Sequence, residues 1–361
     1  MINTNLGEVV RDLLPSKELK NPRNSEGAFM TLDNGEIIFI YSKYKGLSGA
    51  DDATADLCML KSRDGGKTFG EDKVVLTCEG DEAVNMMSLS LMRMNNGDIG
   101  IFYLIRPNLT TLRMYLRRSS DGGETWGERV LCTPEIGYYV VNNDRVTRLS
   151  DGRIIIPAAS HHVSEKFYDM HSDTYFFYSD DDGATWKKSK SKLSIQAVNC
   201  YSGMQEPGLI ELNPGHLWAW ARTDLGRQYE SFSFDNGETW TACQPSRFTS
   251  PCSPLSMKRD EDGTLYAIWN PIPEYNGRAR NKVFTGGRTP FVIAKSTDNG
   301  KTFSEPVAFE EDEGRGYCYC AMYFTEDALL LAYCAGGEVD GSCLAKTRIR
   351  RVEKAQLRNI V

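Results

Sequence analysis

Short apolar runs separated by turn residues recur along the whole chain. Runs such as 37–40 and 154–156 follow turns of the Asp/Asn-Gly type, and other flanking segments alternate apolar and polar residues. Both patterns are typical of β-strands joined by hairpin turns. The turns lie at residues 33–35, 95–97, 150–152, 213–215 and 261–263, with a degraded copy at 325–328. The pattern predicts an all-β chain built from repeated hairpins.

A second repeat, Ser-x-Asp-x-Gly-x-Thr-Trp/Phe, alternates with these turns. Its five copies are 62–69, 119–126, 179–186, 233–240 and 296–303. Spacing of about 60 residues indicates an array of one supersecondary unit. Asp and Gly favour a tight bend, and the Ser and Thr hydroxyls bond local backbone. We interpret each copy, an Asp box, as a structural cap.

The two repeats together predict the architecture. Each unit reads as strand, turn, strand, loop, strand, box, strand, which describes a four-stranded antiparallel blade. Six such units fill the 361 residues, as expected of a propeller. The last unit has no box, and we expect the N-terminal segment to add a strand to it. The prediction is a six-bladed β-propeller forming a single domain, 1–361.

Composition and charge exclude several classes of function. The net charge of −7 argues against nucleic acid and anionic membranes as partners. No apolar stretch approaches the length of a membrane span. The N-terminus lacks the basic and apolar regions of an export signal, so we expect a cytoplasmic protein, or a secreted or periplasmic one if a signal has been removed. The scattered cysteines then predict free thiols. The cysteines and histidines lack metal-ligand spacing, and we predict neither metal nor cofactor.

Candidate site residues are expected at the ends of the strands that lie away from the boxes. A residue one strand length before a hairpin turn, or after it, reaches this face. So does the loop that leads into each box strand. This rule selects polar residues from all the units, among them Arg23, Asn143, Asp144, Glu206, Tyr319, Arg222, and the loop residues Asp51, Asp52 and Arg288.

The chemistry of this set suggests an anionic substrate. Three guanidinium groups that converge on one point repel one another unless a carboxylate or phosphate lies between them. A charged carboxylate nucleophile would be repelled beside such an anion, whereas a neutral Tyr hydroxyl activated by a Glu base would not. A separate Asp can protonate the leaving oxygen.

The boxes, arginines and tyrosine together resemble the Asp-box exo-α-sialidases (neuraminidases), similar to glycoside hydrolase family 33. The resemblance extends from Arg23 to about residue 333. It implies that Arg23, Arg222 and Arg288 bind the substrate carboxylate. It also implies that Tyr319, in Gly-Tyr-Cys-Tyr-Cys, is the nucleophile and that Glu206, in Gln-Glu-Pro-Gly, is its base.

Other positions carry over less directly from the resemblance. The acid/base residue maps to Asp51, with Asp52 as the alternative, although either could simply form a turn. The segment 22–27 is longer than its counterpart in the family and makes Glu26 a possible pocket residue. Asn143 and Asp144 match no family element, and they could instead join blades through hydrogen bonds.

The function expected from the resemblance is a retaining exo-glycosidase. Its substrate would be a small anionic sugar or a sialylated glycan ending in sialic acid or a related 2-keto-3-deoxy sugar acid. Two alternatives stay open at this point. One is a propeller glycosidase for another sugar, such as an exo-arabinanase, and the other is a non-catalytic glycan-binding propeller, because propellers host many functions.

Overall fold

A computed structural model describes residues 6–195, 199–274 and 286–360, and almost all of its regular structure is β-strand. Residues 1–5, on which the expectation about an export signal partly rests, lie outside the described residues. Within the described ranges, no helix is long and apolar enough to cross a membrane. All ten cysteines are free thiols, as predicted.

The strands follow one another along the chain with short connections. The first fourteen are β1 (Glu8–Leu13), β2 (Asn24–Thr31), β3 (Ile37–Tyr44), β4 (Ala55–Ser62), β5 (Lys73–Leu76), β6 (Asn85–Arg93), β7 (Ile99–Asn108), β8 (Thr111–Ser119), β9 (Val130–Leu131), β10 (Tyr138–Val140), β11 (Thr147–Arg148), β12 (Ile154–Ser164), β13 (Phe167–Ser179) and β14 (Lys187–Lys188). The others are β15 (Gln205–Asn213), β16 (His216–Arg222), β17 (Arg227–Ser233), β18 (Gln244–Thr249), β19 (Ser256–Arg259), β20 (Leu265–Trp269), β21 (Phe291–Ser296), β22 (Val307–Glu310), β23 (Cys318–Phe324), β24 (Ala328–Cys334) and β25 (Thr347–Glu353). A 3₁₀ turn (Glu338–Asp340) and the helix α1 (Lys354–Arg358) complete the described elements.

Hydrogen bonding groups these strands into antiparallel sheets. Four sheets have four strands each, namely β2 to β5, β15 to β18, β19 to β22, and β23 to β25 with β1 at the edge. The N-terminal strand therefore joins the last unit, as predicted. The fifth sheet has nine strands, because β10 pairs in parallel with β8 through Tyr138 and Leu112. Two of the six predicted units therefore share one sheet, so the described residues form five hydrogen-bonded sheets instead of six.

The hairpin turns lie where the sequence predicts them. The turn at Gly35 (φ +83°) separates β2 from β3, and the turn at Gly97 (φ +91°) separates β6 from β7. The degraded turn at 325–328 joins β23 to β24. The all-β prediction and its strand-turn-strand order are confirmed.

Each Asp box closes its own turn, directly after the third long strand of a unit. In the second box, the Asp121 carboxylate accepts hydrogen bonds from the Thr125 amide at 2.9 Å and from the Thr125 hydroxyl at 2.6 Å. The amide of Gly123 donates to the Ser119 hydroxyl at 2.8 Å. These bonds are local, which agrees with the interpretation of the boxes as structural caps.

The apolar core is divided among the spaces between neighbouring sheets. One cluster joins Met30 of β2 to Ile105 of β7, and another joins Phe39 of β3 to Leu330 of β24. The first strands of the units also contact one another: β2 packs on β6 and β23, and β19 packs on β15 and β23. The entrances of these strands therefore converge, and this convergence brings the candidate site residues together.

Candidate active site

A β-bulge interrupts the first strand of four units at the same place. The ladder registers shift between Ser25 and Ala28, Met87 and Ser90, Gln205 and Gly208, and Cys318 and Ala321. At each bulge one residue has a positive φ: +62° at Glu26, +54° at Ser88, +46° at Glu206 and +57° at Tyr319. Bulges re-aim side chains. Here they direct four functional groups from four strands toward one cavity.

The central contact of the cavity joins Tyr319 to Glu206. The Tyr319 hydroxyl donates a hydrogen bond of 2.8 Å to Oε1 of Glu206. Burial raises the pKa of Tyr319 well above its usual value, and the negative charge of Glu206 adds to this effect. The phenol is therefore neutral at physiological pH, and its proton is directed at a carboxylate.

Two arginines flank this pair. Arg222 donates to Oε1 of Gln205 from Nε at 3.0 Å and from Nη2 at 2.7 Å. Its Nη1 lies 2.8 Å from Oε2 of Glu206. These two atoms form an ion pair without hydrogen-bond alignment, and neither has another hydrogen-bond partner. The guanidinium carbon of Arg288 lies 5.3 Å from the centre of the Tyr319 ring, and its Nη1 donates to the Cys318 sulfur at 3.0 Å.

Arg23 is buried between two carboxylates. It is only 1% exposed, and it pairs with Glu26 through Nη2 and with Asp51 through Nη1 at 2.6 Å. The second oxygen of Glu26 accepts a hydrogen bond from Ser88. Burial raises the pKa of Glu26, and Arg23 only partly opposes this effect. Partial loss of solvent would also raise the pKa of Asp51, but the positive charges of Arg23, Arg106 and Arg222 together outweigh this effect and lower that pKa.

These residues surround a cavity of about 370 Å³, a volume typical of small-molecule sites. The predicted residues that line it are Glu26, Asp51, Asp52, Glu206, Arg222 and Tyr319. Arg23 and Arg288 stand behind the wall, in contact with Asp51 and Tyr319. The structure therefore brings together eight of the ten residues selected from the sequence. Among the described residues, no cluster of three or more His, Cys, Asp or Glu side chains could hold a metal.

Asn143 and Asp144 lie outside this cavity. Asn143 is buried, and its side-chain amide donates to the carbonyls of Gly27 at 2.9 Å and Tyr319 at 3.2 Å. Asp144 accepts from the Lys258 ammonium at 2.6 Å and from a backbone amide of β23 at 2.9 Å. It lines a separate cavity together with Lys258. Both residues therefore hold strands of different units together, which is the alternative noted from the sequence, and neither lines the cavity around Tyr319.

The structure adds residues that the sequence analysis did not select. Arg106, Tyr138, His161 and Tyr168 line the same cavity. The distance rule could have found Arg106, because it follows the turn glycine of its hairpin much as Arg222 follows its own. The others come from β10 and from the long hairpin of β12 and β13, which fall outside that rule.

Comparison with known proteins places this geometry in context. A sialidase of Bacteroides fragilis (strain YCH46) is 22% identical over 342 residues, covering 84% of this chain and 58% of the relative. An anhydrosialidase of Macrobdella decora is 25% identical over 206 residues, covering 52% of this chain and 25% of the relative. The chain thus spans less than two thirds of the length of these relatives.

Solved structures show the same fold at low identity. The Hadza microbial sialidase Hz136 superposes with a TM-score of 0.72 at 16% identity, over 95% of this chain and 67% of the other. A leech intramolecular trans-sialidase, complexed with 2,7-anhydro-Neu5Ac, superposes with a TM-score of 0.70 at 15% identity, over 98% of this chain and 71% of the other. The fold is therefore all-β and sialidase-like. The profile of the BNR repeat-like domain matches residues 39–332, and the chain belongs to this BNR-repeat family of the sialidase superfamily.

Proposed function

We propose that this protein is a retaining exo-glycosidase that removes terminal α-linked sialic acid, or a related 2-keto-3-deoxy sugar acid, from glycans. The scaffold would be a six-bladed propeller in which the nine-stranded sheet supplies two blades. The observation that carries the proposal is the 2.8 Å hydrogen bond from Tyr319 to Glu206, with Arg222 and Arg288 on either side. The sialidase relatives support the same assignment.

The arginines would bind the carboxylate of the sugar acid. Nη1 of Arg222 makes no hydrogen bond to the residues that the structure describes, so it could donate one to an oxygen of the ligand. Arg23 pairs with Asp51 of the cavity lining, and Arg288 lies against the ring of Tyr319. Forked donors bind a carboxylate strongly in such a shielded place.

Tyr319 would attack the anomeric carbon while Glu206 accepts its proton. A neutral phenol is a weak nucleophile, and a base within hydrogen-bond reach is what makes it effective. The raised pKa of Tyr319 also keeps the phenol protonated until the substrate binds. A phenol avoids the repulsion that a carboxylate nucleophile would meet beside the substrate carboxylate, an arrangement known for sialidases.

Asp51 would protonate the leaving oxygen and then activate water, with Asp52 as the neighbouring alternative. In the ligand-free structure Asp51 is paired with Arg23, and its lowered pKa disfavours the protonated form that an acid needs. The substrate carboxylate would compete for Arg23 and free Asp51. The side chain of Asp51 is 61% exposed, so it has room to move.

The nucleophile is tested with Tyr319→Phe on a fluorogenic sialoside. The chain supplies a matched control in Tyr317→Phe, because Tyr317 is fully buried nearby and its hydroxyl makes no hydrogen bond to the described residues. We expect the Tyr319 variant to lose at least about 10³-fold in kcat, while the Tyr317 variant keeps its activity. Equal activity of the two variants would refute the assignment.

The acid is tested by varying the leaving group. Asp51→Asn and Asp52→Asn are each compared on a 4-methylumbelliferyl sialoside, whose leaving group needs little protonation, and on sialyllactose, whose leaving group needs it. Loss of the acid should reduce kcat/KM for sialyllactose by about 10²-fold more than for the aryl sialoside. The variant that shows this difference identifies the acid, and a difference in neither variant would contradict the mechanism.

A further inference from the structure

Arg106 is a buried arginine in the cavity wall that forms no ion pair with any described carboxylate, although its charge reaches Asp51 at longer range. It lies near the end of β7 and is only 7% exposed. Its Nη2 donates to the hydroxyl of Tyr138, and its Nε makes no hydrogen bond within the described ranges. In the part of the chain that the structure describes, no carboxylate lies within ion-pair distance of it. A buried positive charge without a counter-charge is costly.

The other buried arginines of the site differ from Arg106 in this respect. Arg23 is paired with Glu26, and Arg222 is paired with Glu206. Arg106 faces the same cavity, and among the described residues the hydrogen-bond partner of its guanidinium is the neutral phenol of Tyr138. The missing counter-charge is supplied if an anionic group of the substrate binds there.

Aromatic side chains hold Arg106 and Tyr138 in place. The guanidinium lies 5.2 Å from the centre of the Tyr138 ring, which meets the Tyr168 ring edge-on at 5.5 Å. Tyr168 stacks on His161 at 5.1 Å, and Nδ1 of His161 bonds to a backbone carbonyl at 3.0 Å. A guanidinium fixed in this way loses little freedom when it binds a ligand.

We propose that Arg106 and Tyr138 form a second anion subsite that binds a second acidic group on the substrate, a sulfate ester or a carboxylate. This inference rests on the proposed function, because it adds a substrate preference to the same cavity. The preferred substrate then carries two acidic groups, one bound by the arginines around Tyr319 and one bound by Arg106. Charge-assisted hydrogen bonds to arginine are among the stronger polar contacts.

The preference is tested with three substrates: α2,3-sialyllactose, the same trisaccharide with a sulfate ester on galactose, and the same trisaccharide with a sulfate ester on the sialic acid. We expect the wild type to cleave one sulfated form about tenfold more efficiently than the parent, in line with one charge-assisted hydrogen bond. The sulfated form with the higher kcat/KM shows whether the subsite binds a group on the sugar acid or a group on the leaving sugar. Gain in neither form would overturn the proposal.

Substitution of Arg106 links this preference to the subsite. In Arg106→Gln the ratio of kcat/KM for the favoured sulfated form over the parent should fall to about one, and Arg106→Lys should keep part of it. An unchanged ratio in Arg106→Gln overturns the proposal. The proposal is also overturned if Arg106→Gln lowers kcat/KM by the same factor for all three substrates and shifts the pH profile. Arg106 would then act only by lowering the pKa of Asp51.

A binding measurement separates this inference from the proposed function. Inorganic sulfate is titrated calorimetrically into the wild type, Arg106→Gln and Tyr138→Phe without any sugar present. We expect Arg106→Gln to lose one binding event and Tyr138→Phe to weaken it, and an unchanged isotherm overturns the subsite. Sulfate binding at Arg106 without release of sugar from any sialoside would contradict the proposed function alone.

Discussion

The contact between the first Asp box and the last sheet offers a sharp test of how the units pack. Gly66 lies in the first box with φ +84°, and a Cβ placed there would meet two side-chain carbons of Leu330 at 2.7 and 2.8 Å. Gly35 has nearly the same φ, +83°, and a Cβ there would meet nothing within 4 Å. Both Gly→Ala variants therefore have the same backbone strain, and the difference between their stabilities measures the packing of the box against β24.

The magnitudes follow from these two environments. A left-handed conformation costs a residue with a Cβ about 1–2 kcal/mol, and both variants share that cost. Overpacking adds about 1–3 kcal/mol, in Gly66→Ala only. With an unfolding entropy of about 2.1 cal/mol/K per residue and 361 residues, each kcal/mol lowers Tm by about 1.3 °C. We expect a fall of about 1–3 °C for Gly35→Ala and about 3–7 °C for Gly66→Ala.

The assay is a thermal melt of both variants and of the double variant Gly66→Ala with Leu330→Ala. The cavity left by Leu330→Ala should absorb the new methyl group, so the double variant should be more stable than the sum of the two single effects implies. Equal Tm values for Gly35→Ala and Gly66→Ala, or strict additivity in the double variant, would show that the first box does not pack on β24.

Two further predictions concern the boxes and the support of the nucleophile. Hydrogen bonds from the hydroxyl and amide of Thr125 lower the pKa of Asp121 to about 2, so its stabilising effect is present above about pH 4 and is lost as the pH falls toward 2. The Tm of Asp121→Asn should therefore lie below that of the wild type at pH 7 and approach it at pH 2, whereas a pH-independent difference would contradict the assignment. Asn143→Ala removes the donors to the carbonyls of Gly27 and Tyr319. We expect the free energy of unfolding to fall by about 1–3 kcal/mol and kcat to fall by a larger factor than any change in KM. An unchanged kcat would show that Asn143 does not position Tyr319.

The hairpins and boxes could be predicted because they depend on local chemistry. A turn glycine with positive φ and a Ser-x-Asp box that bonds to itself need no distant partner. The approach of Tyr319 to Glu206 was also predictable, because the strand-length rule placed both at the same end of their strands and the family resemblance supplied their roles.

The remaining features depend on contacts between distant segments. Asp144 has a φ of +58° and accepts a hydrogen bond from Lys258. A distance rule along the strand does not report which partner the side chain meets. The pairing of Tyr138 with Leu112 that merges two units depends on tertiary packing. The exposed fraction and ion pairing of Arg106 likewise depend on which side chains approach it. Only the folded chain shows that no carboxylate of the described residues lies within ion-pair distance of it.

The central claim is that Tyr319 is the nucleophile, and covalent trapping tests it most directly. A sialic acid that carries fluoride at the anomeric carbon and a second fluorine on the adjacent carbon should react once and then hydrolyse slowly, so that the sugar stays on the enzyme. Digestion and mass spectrometry should then find the added mass on the peptide that contains Tyr319, and none in Tyr319→Phe. An adduct on Asp51, Asp52 or Glu206 would contradict the mechanism.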